Sequence, residues 1–132
     1  MKVSKSRVDL ENARLEQPVL KQYSETVSVV PASATTTLDI STGNVFQLTQ
    51  NTDITTLNIT NPTSAGNSTS ITIIRVKDNS ATTRNITFPT AFKWVGGIPP
   101  LLTQTANCVD IIEAFTTDGG MTWLAFPTLD LR

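Results

Sequence analysis

The chain has 132 residues, a formal net charge of −1, one cysteine and no histidine. This length accommodates one domain with a sizeable apolar core and argues against two independent domains. A charge near zero without a basic block argues against nonspecific nucleic-acid binding, which needs many phosphate neutralisations. A single cysteine excludes a disulfide within the chain, and no apolar run follows the N-terminal lysines or approaches membrane-spanning length. We therefore expect one domain made in a cytoplasm, with neither nucleic acid nor a membrane as partner.

Residues 1–25 differ in composition from the rest of the chain. Five lysines and arginines are mixed there with four acidic residues, and large apolar side chains are few. We interpret this segment as a mostly extended N-terminal arm attached to a body of residues 26–132. Terminal segments of this composition are often disordered tails; alternatively, the arm docks on a neighbouring subunit or another protein and becomes ordered on assembly. The candidate docking residues are Leu10, Leu15, Pro18, Val19, Leu20 and Tyr23, of which Tyr23 would anchor the arm to the body.

From residue 26 onward, short segments rich in threonine and aliphatic residues are separated by turn residues, a pattern typical of strands. The longest segment is 69–77, where Ile71, Ile73, Ile74 and Val76 indicate a central strand buried on both faces. The predicted strands are 26–30, 35–41, 44–49, 54–60, 69–77, 84–88, 109–116 and 121–126. About eight short strands and no convincing helix predict an all-β fold, specifically an antiparallel β-sandwich or jelly-roll-like body.

The strongest local signal lies between the last two predicted strands. Asp118, Gly119 and Gly120 can supply the positive φ angles of a tight hairpin. Upstream, a loop rich in glycine and proline cannot continue a ladder, because proline lacks an N–H donor and glycine relaxes the backbone. The marked residues of this loop are Trp94, Gly96, Gly97 and Pro99. We expect Trp94 and Trp123 to close over the same core.

The chain carries KWVGGIPPL at 93–101, VDII at 109–112 and FTTDGGMTW at 115–123, preceded by PVLKQYSET at 18–26, STGNVF at 41–46 and ITNP at 59–62. In this order the motifs resemble a small β-domain common in structural proteins of tailed bacteriophages. The resemblance extends over about residues 17–126. Members of that family occur in tail fibres and in other virion proteins, so the resemblance implies a virion part without specifying which.

Residues that commonly carry catalysis are scarce. The absence of histidine removes the commonest general base and metal ligand, and it excludes any triad with a histidine base. Cys108 precedes a predicted buried strand and is interpreted as a packed thiol rather than a nucleophile. Two carboxylate pairs, Asp110 with Glu113 and Asp39 with Asp53, could serve a hydrolase, although no other sequence feature supports them. We therefore expect no enzymatic activity, no cofactor and no bound metal.

A sparsely charged, threonine-rich surface suits a protein that packs against copies of itself, because little charge is desolvated at a contact. Such surfaces also occur on monomeric sandwiches. The resemblance to phage surface modules leads us to expect a homotrimer that is assembled in the host cytoplasm and functions in the virion.

Two virion roles compete. The favoured hypothesis is a capsid decoration, or cement, protein that attaches to the major capsid protein through its arm and stabilises the shell, because the chain is one small domain without a repeat shaft or receptor-binding head. The first alternative is a tail-fibre or tail-adaptor module that contacts tail components. The second, from a different class, is a glycan-binding β-sandwich for host-surface recognition, in which Lys93, Trp94 and Trp123 form an aromatic platform.

Overall fold

The computed structural model describes residues 16–132, and its regular elements are almost entirely strands. They are β1 (Val27–Pro31), β2 (Thr35–Asp39), β3 (Val45–Gln50), β4 (Thr56–Thr60), β5 (Thr69–Lys77), β6 (Phe92–Lys93), β7 (Val109–Thr116) and β8 (Trp123–Leu131). Two single 3-10 turns, Ile40–Thr42 and Val95–Gly97, are the helical pieces of this range. The prediction of an all-β body is confirmed. Within the same range, no helix is long and apolar enough to span a membrane.

The first five strands alternate between two sheets. Sheet A has the order β1-β3-β5-β7-β8-β6, and sheet B consists of β2 and β4. The pairs β1/β3, β3/β5 and β2/β4 are all parallel. The chain therefore crosses from one sheet to the other at each step from β1 to β5. It then completes sheet A with antiparallel β5/β7 and β7/β8 pairs, while β6 lies parallel to the start of β8.

This mixed pairing corrects the expectation of an antiparallel sandwich or jelly roll. Apolar and polar side chains alternate with a period of two in parallel and antiparallel strands alike, so the sequence pattern does not encode the pairing direction. In the structure, the connections from β1 to β5 each lead to the opposite sheet.

Two predicted strands also differ from those in the structure. Residues 84–88 contribute only a single parallel bridge, between Ile86 and Ile54. The last strand begins at Trp123 rather than at Met121, because the N–H of Thr122 donates to the Asp118 carboxylate and is held in the turn. The strand then continues to Leu131.

The core lies against the inward face of sheet A and is completed by side chains from sheet B. On β5, Ile71 and Ile73 point inward and are buried, whereas Ile74 and Val76 point outward and are half-buried. The expectation that β5 is buried on both faces is therefore wrong for its outward face in this chain. The rest of the apolar core comprises Leu38, Phe46, Leu48, Ile54, Leu57, Phe92, Trp94, Ile112, Ala114, Trp123 and Ala125. Each large side chain buried here contributes roughly 1.5–3 kcal/mol of transfer free energy.

Gly43 fixes the junction between the end of the arm and β3. Its backbone has φ 153° and ψ 169°, a region accessible almost only to glycine. A Cβ at this position would collide with the backbone carbonyl oxygen of Thr26. The same carbonyl accepts a hydrogen bond from the N–H of Val45, at 3.5 Å.

We expect Gly43→Ala to lower the free energy of unfolding by about 2 kcal/mol, because the substitution combines backbone strain with a clash against backbone atoms. Gly66→Ala is the matched control: Gly66 also has a positive φ, 88°, but its added Cβ would meet no atom within 4 Å. Urea denaturation of both variants measures the difference. Equal losses would contradict the clash at Thr26.

Candidate functional site

The described part of the N-terminal arm carries exposed apolar side chains. Val19 is 96% exposed, Leu20 66% and Tyr23 74%, and Pro18 is exposed as well. Tyr23 therefore does not pack against the body, which corrects its predicted role as an anchor. Leu10 and Leu15, the other candidate docking residues, lie outside the described residues. The arm thus presents apolar groups that the body of the same chain leaves uncovered at residues 18–23.

The two tryptophans belong to the core. Trp94 is 9% exposed and Trp123 is 2% exposed, and the ring of Phe92 lies between them at centroid distances of 5.6 and 6.3 Å. Both indole rings therefore pack against Phe92 within the core. The loop after Trp94 is exposed, with positive φ angles of 69° at Gly96 and 75° at Gly97, followed by the exposed Pro99. The burial leaves the glycan hypothesis without the exposed aromatic pair on which it rested.

The predicted hairpin turn is present as a six-residue loop, 117–122, between β7 and β8. Gly119 and Gly120 have φ angles of 74° and 87°. The Asp118 carboxylate accepts hydrogen bonds from the Thr122 N–H at 2.9 Å and from the Thr116 hydroxyl at 2.7 Å, and these hydrogen bonds hold the pKa of Asp118 below its ordinary value. Asp118 therefore acts as the internal brace of a structural loop.

A fully buried ion pair joins β5 to β7. Arg75 and Asp110 have no exposed side-chain surface, and Arg75 Nη1 donates to Asp110 Oδ2 at 2.8 Å. Arg75 Nε donates to the side-chain oxygen of the buried Gln50 at 2.7 Å. The guanidinium also donates to the backbone carbonyls of Thr103 and Arg84, at 2.6 and 3.2 Å. One guanidinium thus connects β3, β5 and β7 with the irregular segments on either side of β6.

The carboxylate of Asp110 is fully satisfied. Its Oδ1 accepts from the backbone N–H of Asp130 at 3.0 Å, and its Oδ2 accepts from that of Thr103 at 2.9 Å. Burial works to raise the pKa of Asp110, but these N–H groups and the Arg75 guanidinium outweigh burial and hold the pKa below its ordinary value. Asp110 therefore remains ionised at neutral pH and is occupied by structural partners.

A second charged cluster lies two residues further along β5, on the same side of the strand. The Lys77 side chain is buried and its Nζ donates to Asp78 Oδ1 at 3.1 Å and to the carbonyl of Ser80 at 2.6 Å. Arg84 Nη2 donates to Asp78 Oδ2 at 2.9 Å. This hydrogen bond, against the opposing effect of burial, holds the pKa of Asp78 well below its ordinary range. The cluster fixes the turn that follows β5.

Sequence reasoning missed these ion pairs. The signal was available in part: Arg75 and Lys77 continue the inward alternation of Ile71 and Ile73, which places both cations on the core side. Their partners could not be read from the sequence, because Asp110 becomes opposite Arg75 only through the β5/β7 register.

The two carboxylate pairs considered from the sequence are not brought together as pairs. Asp110 is buried on the inward side of β7, whereas Glu113 is exposed on the other face. Asp39 accepts hydrogen bonds from Ser41 and Asn61, while Asp53 accepts from the backbone N–H of Asn85. Each carboxylate therefore has its own separate surroundings.

Cys108 is buried, and burial raises the pKa of its thiol. Its Sγ donates weakly to the carbonyl of Thr103 at 3.5 Å. This environment disfavours the thiolate, the nucleophilic form. Among residues 16–132, no three histidine, cysteine, aspartate or glutamate side chains come together in a group suited to a metal ion.

Comparison with known proteins adds no relative: no family model matches the chain, and no curated protein or solved structure matches it. The candidate site is therefore defined by geometry alone. The body contains buried ion pairs, and the arm carries exposed apolar side chains.

We expect Asp110→Asn to lower the free energy of unfolding by about 3–5 kcal/mol, because it leaves the Arg75 charge buried without a counter-ion. The double variant Arg75→Met/Asp110→Asn should lose less than the sum of the two single variants, since neither charge remains unpaired. Glu113→Gln, which neutralises an exposed carboxylate on the same strand, is the control and should change little. Strict additivity in denaturation experiments would rule out the pair as a coupled unit.

The lowered pKa of Asp110 predicts an acid-dependent loss of stability. A carboxyl whose pKa is lower in the folded state stabilises the fold above its unfolded pKa of about 3.9, and this contribution disappears as pH falls below that value through the folded pKa. We expect the denaturation midpoint of the native chain to fall steeply below about pH 4. Asp110→Asn should show a shallower dependence in the same range, whereas Glu113→Gln should retain the native slope. Identical slopes for all three would contradict the role assigned to Asp110.

Proposed function

We propose that the protein is a structural component of a bacteriophage virion that acts by attachment rather than by chemistry. The observation that carries this proposal is the arm: Val19, Leu20 and Tyr23 are largely exposed on an irregular segment that bends at residues 16–17 and 21–22, beside an ordered body. Exposed apolar groups on a segment without secondary structure are typical of a region that is ordered by a partner. The motif resemblance to phage structural domains supports the virion as the setting.

The chemistry of the body agrees with this role. The buried cations Arg75 and Lys77 and their carboxylate partners hydrogen-bond to each other and to backbone groups. Such groups stabilise loops and leave no side-chain charge free for acid or base work in this cluster. A body fixed in this way is suited to hold a docking arm in a constant position.

Within the virion, a capsid decoration protein is the favoured role, with a homotrimer attached to the major capsid protein through its arms. Each arm would insert residues such as Val19 and Leu20 into grooves of the shell. Because the three arms belong to one trimer, modest contacts made by each arm combine into strong attachment. A tail-fibre or tail-adaptor module is the alternative, and the occurrence of the resembling domains in fibres favours it.

The copy number of the chain per purified particle separates the two roles. We would measure it by mass spectrometry against the major shell protein. Hundreds of copies, near one per shell subunit, are expected for a decoration protein. A handful in multiples of three or six would assign the chain to the tail, and absence from particles would overturn the proposal.

Deletion of residues 1–20 should leave a folded body that no longer joins particles, because the exposed apolar part of the arm is removed. The double variant Val19→Ser/Leu20→Ser keeps the arm length and should also reduce incorporation. If each of the two side chains contributes roughly 1 kcal/mol in each of three arms, the summed loss is about 6 kcal/mol, or about 10⁴-fold in affinity. Glu16→Gln/Lys21→Gln is the matched control, since it alters neighbouring polar positions. Normal incorporation of the deletion variant would show that the arm is dispensable.

A further inference from the structure

We propose that the outward face of sheet A is the contact surface between copies of this chain. This inference deepens the proposed function by assigning the surface that forms the oligomer. The face, termed the A face, is formed by the outward residues of five strands. They are Val27, Val29, Val45, Gln47, Thr49, Ser70, Thr72, Ile74, Val76, Val109, Ile111, Glu113, Phe115, Leu124, Phe126, Thr128 and Leu131.

The A face is apolar and accessible. Val29 is 72% exposed, Val27 51%, Phe126 47%, Leu124 42% and Leu131 39%. Between these edge positions, the aliphatic residues of β5 and β7 are half-buried by their neighbours in the sheet. Glu113 is the single charged residue among these five strands, and Lys93 of β6, in register with Leu124, lies at the edge of the face. A continuous apolar surface of this kind marks an interaction site on a protein in water.

The outward face of sheet B shows that this composition is particular to one side of the body. There the residues on β2 and β4 are Thr35, Thr37, Asp39, Thr56, Asn58 and Thr60, all polar. The A face is built by strands between residues 27 and 131 and the outward face of sheet B by strands between 35 and 60, and both have a buried inward side. Their difference therefore follows from what lies outside each sheet: water against sheet B and an apolar partner against the A face.

The A face is uneven. Phe115 and Phe126 stack with nearly parallel rings, 10° apart, at a centroid distance of 6.1 Å. They border a hollow of about 270 Å³ that extends across Thr72 and Glu113. Toward the opposite edge of the same face, β1 and β3 present the smaller Val27, Val29 and Val45. One half of the face is thus aromatic and recessed, and the other half is built of valines.

The dimensions of the A face match a protein interface. Five strands about 4.8 Å apart and about six residues long, at about 3.3 Å per residue, cover roughly 500 Å² in projection. Side-chain relief increases the accessible area toward the roughly 800 Å² that each partner contributes to a standard interface. The face as a whole therefore has about the area that one standard interface takes from each partner.

The identity of the partner follows from charge and shape. A charged partner would lose hydration against this face and recover little of it in ion pairs, because the face offers only Glu113 and, at its edge, Lys93. A second copy offers an equally uncharged surface. Contact of the valine half of one copy with the aromatic half of the next is a heterologous contact, and such contacts form a ring when their rotation closes. In the expected ring of three, each copy uses one half of its A face against each of its two neighbours.

The test is the mass of the full-length protein in solution, measured by light scattering and sedimentation over a range of concentrations. We expect three times the chain mass for the native protein. Phe126→Glu and Val29→Lys should each weaken association by about 100-fold or more, because the new charge is buried without a counter-ion; position 126 lies opposite Glu113, which has the same charge. Thr37→Lys and Asn58→Glu place the same charges on exposed positions of sheet B and should leave the mass unchanged.

Circular dichroism and tryptophan emission establish that each variant is folded. If a charged variant does not fold, Phe126→Ser and Val29→Ser replace it and should weaken association to a smaller extent. A monomeric native protein, as would result if residues 1–15 covered the face of their own chain, would overturn the inference. Association unaffected by folded A-face variants would overturn it as well, and a dimer sensitive to them would support the face while excluding three-fold order.

These outcomes are separate from those of the proposed function. A protein that associates through the A face but is absent from particles would overturn the virion role alone. A monomer present in particles would overturn the A-face contact alone.

Discussion

The buried contact between Arg75 and Asp110 is the interaction on which the arrangement of this body depends. It lies where the parallel half of sheet A meets the antiparallel half, since β5 pairs with β3 on one side and β7 on the other. Desolvating two charges is costly, and such a pair persists only when hydrogen bonds satisfy both groups. Here the partners include the backbones of Thr103, Arg84 and Asp130. The pair therefore fixes the placement of segments that have little regular structure of their own.

This arrangement explains how the long region between β5 and β7 is ordered. Residues 78–108 contain only the two-residue strand β6 and one 3-10 turn. Their fixed points are polar toward both ends, where Asp78 and the backbones of Arg84 and Thr103 are hydrogen-bonded, and apolar in the middle, where Phe92 and Trp94 enter the core. Removing either kind of contact would free a loop of about 30 residues. The entropic cost of ordering such a loop is large, which is why both are needed.

The sequence predicts local structure well, but it does not predict which strands are neighbours or in which direction they pair. The 69–77 and 109–116 strands were predicted with the boundaries seen for β5 and β7, because β-branched residues and flanking turn residues mark them clearly. The parallel direction of β1, β3 and β5 could not be predicted, since alternation is the same for either direction. The inward position of Arg75 follows from the alternation of the strand. The ion pair could not be predicted, because its partner Asp110 lies 35 residues further along the chain. Likewise, the A face becomes visible as one surface only when β1, β3 and β5 are known to be neighbours.

The location of the charges connects stability with assembly. Ordinary small domains place charged groups on the surface and apolar groups inside, whereas this body keeps Arg75, Lys77 and Asp110 inside and leaves the A face almost without charge. The inward ion pairs give the core its specificity of register, because a shift of β7 by one residue would turn Asp110 outward and leave Arg75 unpaired. Register in turn determines which residues share the outward face. The buried charges thus preserve the apolar surface through which copies of the chain are proposed to meet.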